Sequence, residues 1–240
     1  MESTLTKKEL TPTEEQFKAL TGAFKYFNVR LFNGKLPSCI LNFSRKKNTH
    51  GFLAPSRWRR VDSVDEYIHE ISLTPYTFYR EPRLVFSTLV HEMVHLWQWE
   101  FGSPSRNGYH NREWAKKMEE VGLIPSNTGQ EGGKKTGQSM THYIDPSGKY
   151  HTLFDKIPSA LLLPFTSIEG DIIKRMIDSK SNRNGSDKNN TESKLDKRNR
   201  LISSGRKKTK YNCSSCNLNV WGRPNLELKC LKCDQPLSVV

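Results

Sequence analysis

Two histidines and a glutamate lie within an apolar stretch, LVFSTLVHEMVHLWQWEFG, at residues 84–102. No proline or glycine interrupts residues 84–101, so the stretch predicts a helix. Residues four apart share a helix face, and His91 and His95 can therefore present two imidazole nitrogens to one Zn²⁺. Glu92 lies one position further round and can reach a metal-bound water. The pattern predicts zinc-assisted hydrolysis, with Glu92 as the general base and then the general acid.

A buried helix that binds no metal is the alternative. Residues around the motif are apolar on nearly every side, which predicts a central, covered position for the helix. Two histidines and a glutamate are costly to bury without partners. A metal site satisfies all three groups at once, whereas a metal-free core needs a separate hydrogen-bond partner for each.

A catalytic zinc site needs a third protein ligand and leaves its fourth position to water. His110 follows a loop rich in Gly, Ser and Pro, and from Asn111 the pattern becomes helical again, with Gly122 as the expected stop. We expect His110 to be the third ligand. The competing ligands on the same predicted helix are Glu113 and Glu119.

Several segments together resemble the SprT-like zinc metallopeptidase family, which includes a eukaryotic protease that cleaves proteins crosslinked to DNA. These are FNVRLFNGKLP, HGFLAP, HEISLTP, LVHEMVH and GYHNREWAKKMEEVGL, which match in order and spacing over roughly residues 14–125. The resemblance implies a zincin-like domain, zinc on His91, His95 and His110, and Glu92 as the general base. A resemblance of fold does not by itself establish activity.

Four cysteines near the end of the sequence form a C-x2-C-x13-C-x2-C pattern, which is typical of a structural zinc ribbon: Cys213, Cys216, Cys230 and Cys233. A module of this size has too small a core to fold alone, so we expect metal binding to stabilise it. The few side chains expected to pack in it are Val220, Trp221, Leu226 and Leu228. Trp221 has a second interpretation, as an exposed platform on which a nucleic-acid base stacks.

The charge distribution predicts the domain organisation. Nine of the net thirteen positive charges lie within residues 174–210, a segment poor in apolar residues. We expect it to be a flexible basic linker that either contacts nucleic acid or only keeps the chain soluble. The predicted boundaries are a tail at 1–13, the SprT-like domain at 14–173, this linker, and the ribbon at 211–240.

The predicted fold class is α+β: a helix at 14–32, a small sheet packed on the H-E-x-x-H helix, and the ribbon. The predicted strands are 38–45, 50–55 and 66–73. As the last strand before the motif helix, the stretch Glu66–Pro75 is the expected sheet edge, where an extended substrate can add as a further strand.

Other candidate residues are assigned smaller roles. We expect a structural or surface role for His69 and a core position for Cys39. His142 and Tyr143 are candidate donors to an oxyanion in the cleft. Residues 57–60, RWRR, are either a short exposed turn or a contact for single-stranded nucleic acid.

The sequence as a whole predicts a cytoplasmic zinc endopeptidase with one catalytic and one structural zinc. No stretch is apolar enough to span a membrane, and paired cysteines in a reducing compartment indicate metal binding rather than disulfides. The expected partners are protein substrates and DNA. The alternative is a non-catalytic accessory protein that uses the same fold as a nucleic-acid-binding scaffold.

Overall fold

The computed structural model describes residues 9–46, 49–63, 65–106, 108–172, 175 and 209–239. They belong to two compact units, one within residues 1–183 and the other within 184–240. Helices and small sheets together confirm the predicted α+β class. Most of the predicted linker, residues 176–208, lies outside the described residues, so its flexibility and DNA contacts stay predictions. Among the described residues, no helix has both the length and the apolar character needed to cross a bilayer.

The α-helices of the first unit whose bounds lie within the described residues are α1 (Pro12–Leu31), α2 (Pro82–Phe101), α3 (Arg112–Val121) and α4 (Lys149–Asp155). Helix α1 begins with a capping box in which Thr11 and Glu14 each accept a backbone N–H from the other. Helix α3 is capped before its first residue by Asn111, whose side chain accepts the Trp114 N–H, and after its last residue by Gly122 in the left-handed conformation. The predicted start and stop of α3 are therefore confirmed.

The main sheet of the first unit contains β1 (Ile40–Phe43), β2 (Gly51–Arg59) and β3 (Tyr67–Leu73) in the order β1-β3-β2. Strand β3 pairs in parallel with β1 and antiparallel with β2. The expectation that 66–75 forms the sheet edge is therefore wrong, because β3 is bonded on both sides. Among the described residues, the edge on the antiparallel side is β2.

Helix α2 lies at the centre of the first unit. Its residues 85–94 are all buried, and the core also includes the inner faces of α1 and α3. Two short strand pairs also lie in the described part of this unit. They are β4 (Tyr109–His110) with β6 (Gly137–Gln138), and β5 (Leu123–Ser126) with β7 (Thr141–Ile144), both antiparallel. These pairs bring the segments around His110 and His142 to α2.

Residues 209–239, the described part of the second unit, contain five short strands: β8 (Thr209–Asn212), β9 (Asn219–Gly222), β10 (Lys229–Cys230), β11 (Gln235–Pro236) and β12 (Ser238–Val239). They form a sheet in the order β12-β8-β9 and a β10-β11 hairpin. The buried hydrophobic side chains in this described part are Tyr211, Cys213 and Cys230. Trp221 is 58% exposed and Leu226 is 40% exposed, so the prediction that both pack in a core is wrong. Tyr211 is the buried aromatic residue instead, and its hydroxyl donates to Arg223 O at 2.6 Å.

Candidate functional site

The structure brings together the three histidines predicted from the sequence. His91 and His95 lie one turn apart on α2, and His110 approaches from β4. One nitrogen from each ring falls within a group whose members all lie within 4.8 Å of one another. Glu113 and Glu119 do not belong to this group, which favours His110 as the third ligand.

Two nitrogens of this cluster are spaced as ligands of one metal ion are. His95 Nε2 and His110 Nε2 are 3.1 Å apart, close to the roughly 3.3 Å that separates two nitrogens bound to one tetrahedral zinc. His110 Nδ1 donates to Gly137 O at 3.3 Å, which leaves the His110 Nε2 lone pair directed at His95. Burial lowers the pKa of His91, His95 and His110, to about 3 for His95, so the rings are neutral at pH 7. The donor set therefore fits a zinc ion.

Trp114 of α3 packs against all three histidines. Its ring lies parallel to His95 with centroids 5.3 Å apart, and it meets His110 edge-on at 4.3 Å and His91 at 5.1 Å. Trp114 is fully buried, and its indole N–H has no hydrogen-bond partner among the described residues. The three imidazoles are thus held by one rigid apolar surface.

Hydrogen bonds fix the loop that carries His110. Asn111 Oδ1 accepts from Gln98 Nε2 at 2.7 Å, and Asn111 Nδ2 donates to Ser103 O at 2.9 Å. Glu113 Oε2 accepts from Gln98 Nε2 at 2.8 Å and from Ser103 N at 2.7 Å. Glu113 therefore braces the loop against α2, while Glu119 pairs with Lys135 on the surface.

Glu92 is 5% exposed and lines the same cleft as the histidines. Burial raises the pKa of Glu92 to about 8, and a hydrogen bond from the Leu53 backbone and the charge of Lys46 oppose that rise. A carboxyl group with a pKa near neutrality is suited to both accepting and releasing a proton. A divalent cation at the histidines would favour the carboxylate form.

The cleft has a volume of about 720 Å³. Its floor is the motif segment of α2, and one wall is the first part of β2, residues 51–53. Gly51 permits this close packing, because a Cβ there would lie 3.0 Å from Ser72 O and 3.1 Å from Thr88 Cγ2. Residues 51–53 of β2, the strand at the end of the sheet order, therefore line the same cleft as the histidines and Glu92.

His50 is a cleft residue that the sequence analysis missed. Arg80 Nη1 donates to His50 Nδ1 at 3.2 Å, and Arg80 is itself held by Thr88 Oγ1 at 3.0 Å. Burial, followed by the charge of Arg80, lowers the pKa of His50 to about 4. Because arginine only donates, the neutral His50 ring carries its proton on Nε2. The residues next to His50 do not indicate this contact, because Arg80 lies thirty residues away along the chain.

His142 lies at the cleft, but both of its ring nitrogens face protein groups. Nδ1 is 3.1 Å from His91 Nδ1, and Nε2 is 2.9 Å from Ser87 Oγ. Neither nitrogen is left for an oxyanion, contrary to that expectation. Tyr143 pairs with Ile124 in the β5-β7 ladder and does not line the cleft.

His69 has the structural role that was predicted. Its Nδ1 accepts from Ser56 N at 2.9 Å, at the point where β2 changes register, and its Nε2 donates to Glu100 Oε1 at 2.9 Å on α2. Cys39 packs against the core, and burial raises its thiol pKa to about 12.

The RWRR segment lies mostly in β2 and is not a turn. Trp58 Nε1 donates to Glu70 Oε2 at 2.7 Å, and Arg57 pairs with the same carboxylate at 3.4 Å. A contact of this segment with nucleic acid stays a prediction.

The four cysteines of the second unit also form a cluster, with one sulfur from each within 4.8 Å of the others. Cys216 Sγ and Cys230 Sγ are 3.7 Å apart, far beyond the roughly 2.05 Å of a disulfide. Sulfurs about 2.3 Å from one tetrahedral zinc lie about 3.8 Å apart. The cluster therefore fits a structural zinc site, as expected from the cysteine spacing.

In this site, an H-E-x-x-H helix places its two histidines beside a third histidine. All three line an open cleft together with the glutamate of the motif. This arrangement is typical of a metallopeptidase-like domain. Comparison with known proteins agrees with this class. The profile of the SprT-like family matches residues 20–133. An uncharacterized protein in the mucB 3′ region of Salmonella typhimurium is 36% identical over 58 residues, which cover 23% of this chain and 78% of that protein. The chain belongs to the SprT-like family. No solved structure matches it significantly.

Proposed function

We propose that the chain is a zinc-dependent endopeptidase that cleaves DNA-associated or DNA-crosslinked proteins. The observation that carries the proposal is the convergence of His91, His95 and His110 beside Glu92 in an open cleft. A metal used only for stability would need a closed coordination shell, whereas three histidines leave one position for water.

Each role in peptide hydrolysis has a residue suited to it. The three histidines would hold the zinc ion, which would supply a Lewis acid and lower the pKa of the attacking water. Glu92 would act as the general base toward that water and then as the general acid toward the leaving amine. His50, with its proton held on Nε2 by Arg80, donates a hydrogen bond to the oxygen of the scissile carbonyl.

The free edge of β2 is the proposed binding surface for the substrate backbone. An extended peptide can add there as a further strand, using main-chain hydrogen bonds that do not depend on side-chain identity. Such binding suits a protease that acts on varied proteins, provided that the substrate segment is unfolded.

DNA targeting is proposed from charge and from the family resemblance. Residues 1–173 carry 22 Lys and Arg against 19 Asp and Glu, so the peptidase domain is nearly balanced. The basic segment 174–210 and the ribbon are therefore proposed to bring the domain to DNA. Each phosphate contact would add to the salt dependence of binding.

Glu92→Gln is the test of catalysis. It removes the proton acceptor but preserves size, and we expect cleavage of a DNA-binding protein to fall by about 10²–10⁴-fold with two zinc ions retained per chain. Glu100→Gln is the matched control, because it makes the same change on α2 outside the cleft lining. Both variants and the wild type are assayed with and without single-stranded DNA.

The outcomes separate the two candidate functions. Cleavage that DNA stimulates and that Glu92→Gln abolishes supports the peptidase. Two zinc ions and DNA binding without cleavage under any condition would instead support the non-catalytic scaffold. Unchanged DNA binding after deletion of residues 174–240 would remove the targeting part of the proposal.

A further inference from the structure

Three consecutive hydrogen bonds connect the backbone of α2 to the first histidine of the motif. Ser87 Oγ donates to Leu84 O at 3.0 Å. His142 Nε2 lies 2.9 Å from Ser87 Oγ, and His142 Nδ1 lies 3.1 Å from His91 Nδ1. Ser87 is 1% exposed, so water has little access to its hydroxyl.

This chain of contacts assigns a proton to each group. The single Ser87 hydroxyl proton is directed at Leu84 O, so Ser87 Oγ accepts from His142, whose proton is therefore on Nε2. The His142 Nδ1 lone pair then accepts from His91 Nδ1. With one proton on each ring, His91 is left with its lone pair on Nε2.

His110 reaches the same tautomer by a separate route. Its Nδ1 donates to a backbone carbonyl, Gly137 O, and its Nε2 faces His95. A backbone carbonyl cannot be changed by mutation, but the partner of His91 is a side chain. His91 and His110 thus each donate from Nδ1 to a hydrogen-bond acceptor, which is a side chain for His91 and a backbone carbonyl for His110.

We propose that His142, held by Ser87, is a positioning residue that keeps the His91 proton on Nδ1 and directs the Nε2 lone pair of His91 toward the metal position. The inference rests on the proposed function in that it assigns a metal to the histidine cluster. His142 lies outside residues 20–133, the part matched by the family profile. It is also absent from the three-histidine group, so its role is to orient a ligand rather than to bind the metal.

The test measures metal affinity of the full chain by competition with a chelator. Cobalt in the four-cysteine site is distinguished by its thiolate charge-transfer absorption, so the histidine site is followed separately. We expect His142→Ala to weaken binding at the histidine site by about 10–100-fold, as expected when an orienting partner of a ligand is removed. His142→Asn places a carboxamide oxygen near the former Nδ1 position and should restore most of the affinity.

Ser87→Ala tests the far end of the chain of contacts. It leaves His142 in place but removes the acceptor that holds the His142 proton on Nε2, so we expect a smaller loss than for His142→Ala. Unchanged affinity in His142→Ala would overturn the proposal. Equal losses in His142→Ala and His142→Asn, with both variants folded by circular dichroism, would also overturn it, because they would indicate a packing role.

Nitrogen-15 NMR of the histidine rings in the metal-free protein gives a readout independent of activity. The proposal expects His91 protonated on Nδ1 in the wild type and a mixture of tautomers in His142→Ala. A wild-type His91 protonated on Nε2 would overturn it. If the affinity and the tautomer both shift as expected but no substrate is cleaved, the peptidase proposal fails while the role of His142 stands.

Discussion

The histidine cluster and the four-cysteine cluster both fit zinc, yet they relate to their surroundings in opposite ways. The histidines lie on and beside a central helix within a large apolar core, and Trp114 packs against all three rings. Among the described residues of the second unit, two of the three buried hydrophobic side chains are cysteines of the four-cysteine cluster. The first unit can therefore position its ligands before metal binds, whereas the second has little core without the metal.

The two clusters also differ in the number of metal ligands that they offer. Four thiolates fill a tetrahedral shell and leave no position for water, so the cysteine site is suited to stabilising the fold of the ribbon. Three imidazoles would leave one ligand position of a zinc ion for water, and they line a cleft together with Glu92, so the histidine site is suited to hydrolysis. Under the proposed function, metal removal is therefore expected to stop peptide cleavage by the first unit without unfolding it, and to unfold the second unit.

Cys213→Ser should have the largest effect. Zinc binding to such modules is worth about 10–16 kcal/mol in apparent free energy, so loss of one thiolate should unfold the ribbon. We expect one zinc per chain and loss of the dispersed amide signals from residues 209–239, with melting of the first unit unchanged. Cys39→Ser is the matched control and should keep both zinc ions. A ribbon that stays folded in Cys213→Ser would contradict the comparison.

Trp114→Ala tests whether the core of the first unit holds the histidines. Deleting a fully buried tryptophan costs about 3–5 kcal/mol, so thermal unfolding of the first unit should shift strongly while the ribbon signals stay in place. Trp114→Phe keeps an aromatic ring and removes an indole N–H that lacks a partner in the described part of the chain. It should therefore cost much less. Equal losses in the two variants would show that the ring packing is not what matters.

Comparing His110→Ala with Glu113→Gln distinguishes a residue that binds the metal from one that only holds the loop in place. Removal of a direct ligand should weaken metal binding by more than the roughly 10–100-fold expected for an orienting residue. Glu113→Gln should leave the affinity within a few-fold but lower the free energy of unfolding by about 1–3 kcal/mol, because hydrogen bonds to Ser103 and Gln98 are weakened. The reverse pattern in chelator competition would identify Glu113 as the third ligand.

Local sequence signals were sufficient for much of this arrangement. The four-residue spacing placed His91 and His95 on one face of α2, and Asn111 and Gly122 marked the ends of α3. These features depend on neighbours within one helix, so they can be predicted without the rest of the fold.

Features set by pairing between distant segments could not be derived in this way. The position of β3 inside the sheet depends on a parallel partner, β1, that chain order does not reveal. All five residues of His69–Leu73 are buried in the structure. Their sequence mixes polar with apolar residues and lacks the continuous apolar run typical of a strand covered on both faces, so it did not indicate the central position. Arg80 beside His50 and Ser87 beside His142 join segments far apart in sequence, and no local pattern indicates either contact.

Trp221→Ala should have the smallest effect on stability. It tests whether the ribbon is stabilised mainly by metal at the cysteine cluster or by this tryptophan. The side chain is 58% exposed, so its loss should change the free energy of unfolding of the ribbon by no more than about 0.5 kcal/mol. Tyr211→Phe is the comparison, since it removes hydrogen bonds to Arg223 O and from Leu226 N and should cost about 1–3 kcal/mol. If Trp221 instead stacks on a base, its loss should weaken single-stranded DNA binding by about 1–3 kcal/mol without affecting zinc content. A large loss of stability with unchanged DNA binding would mean that tryptophan, and not the metal with Tyr211, stabilises the ribbon.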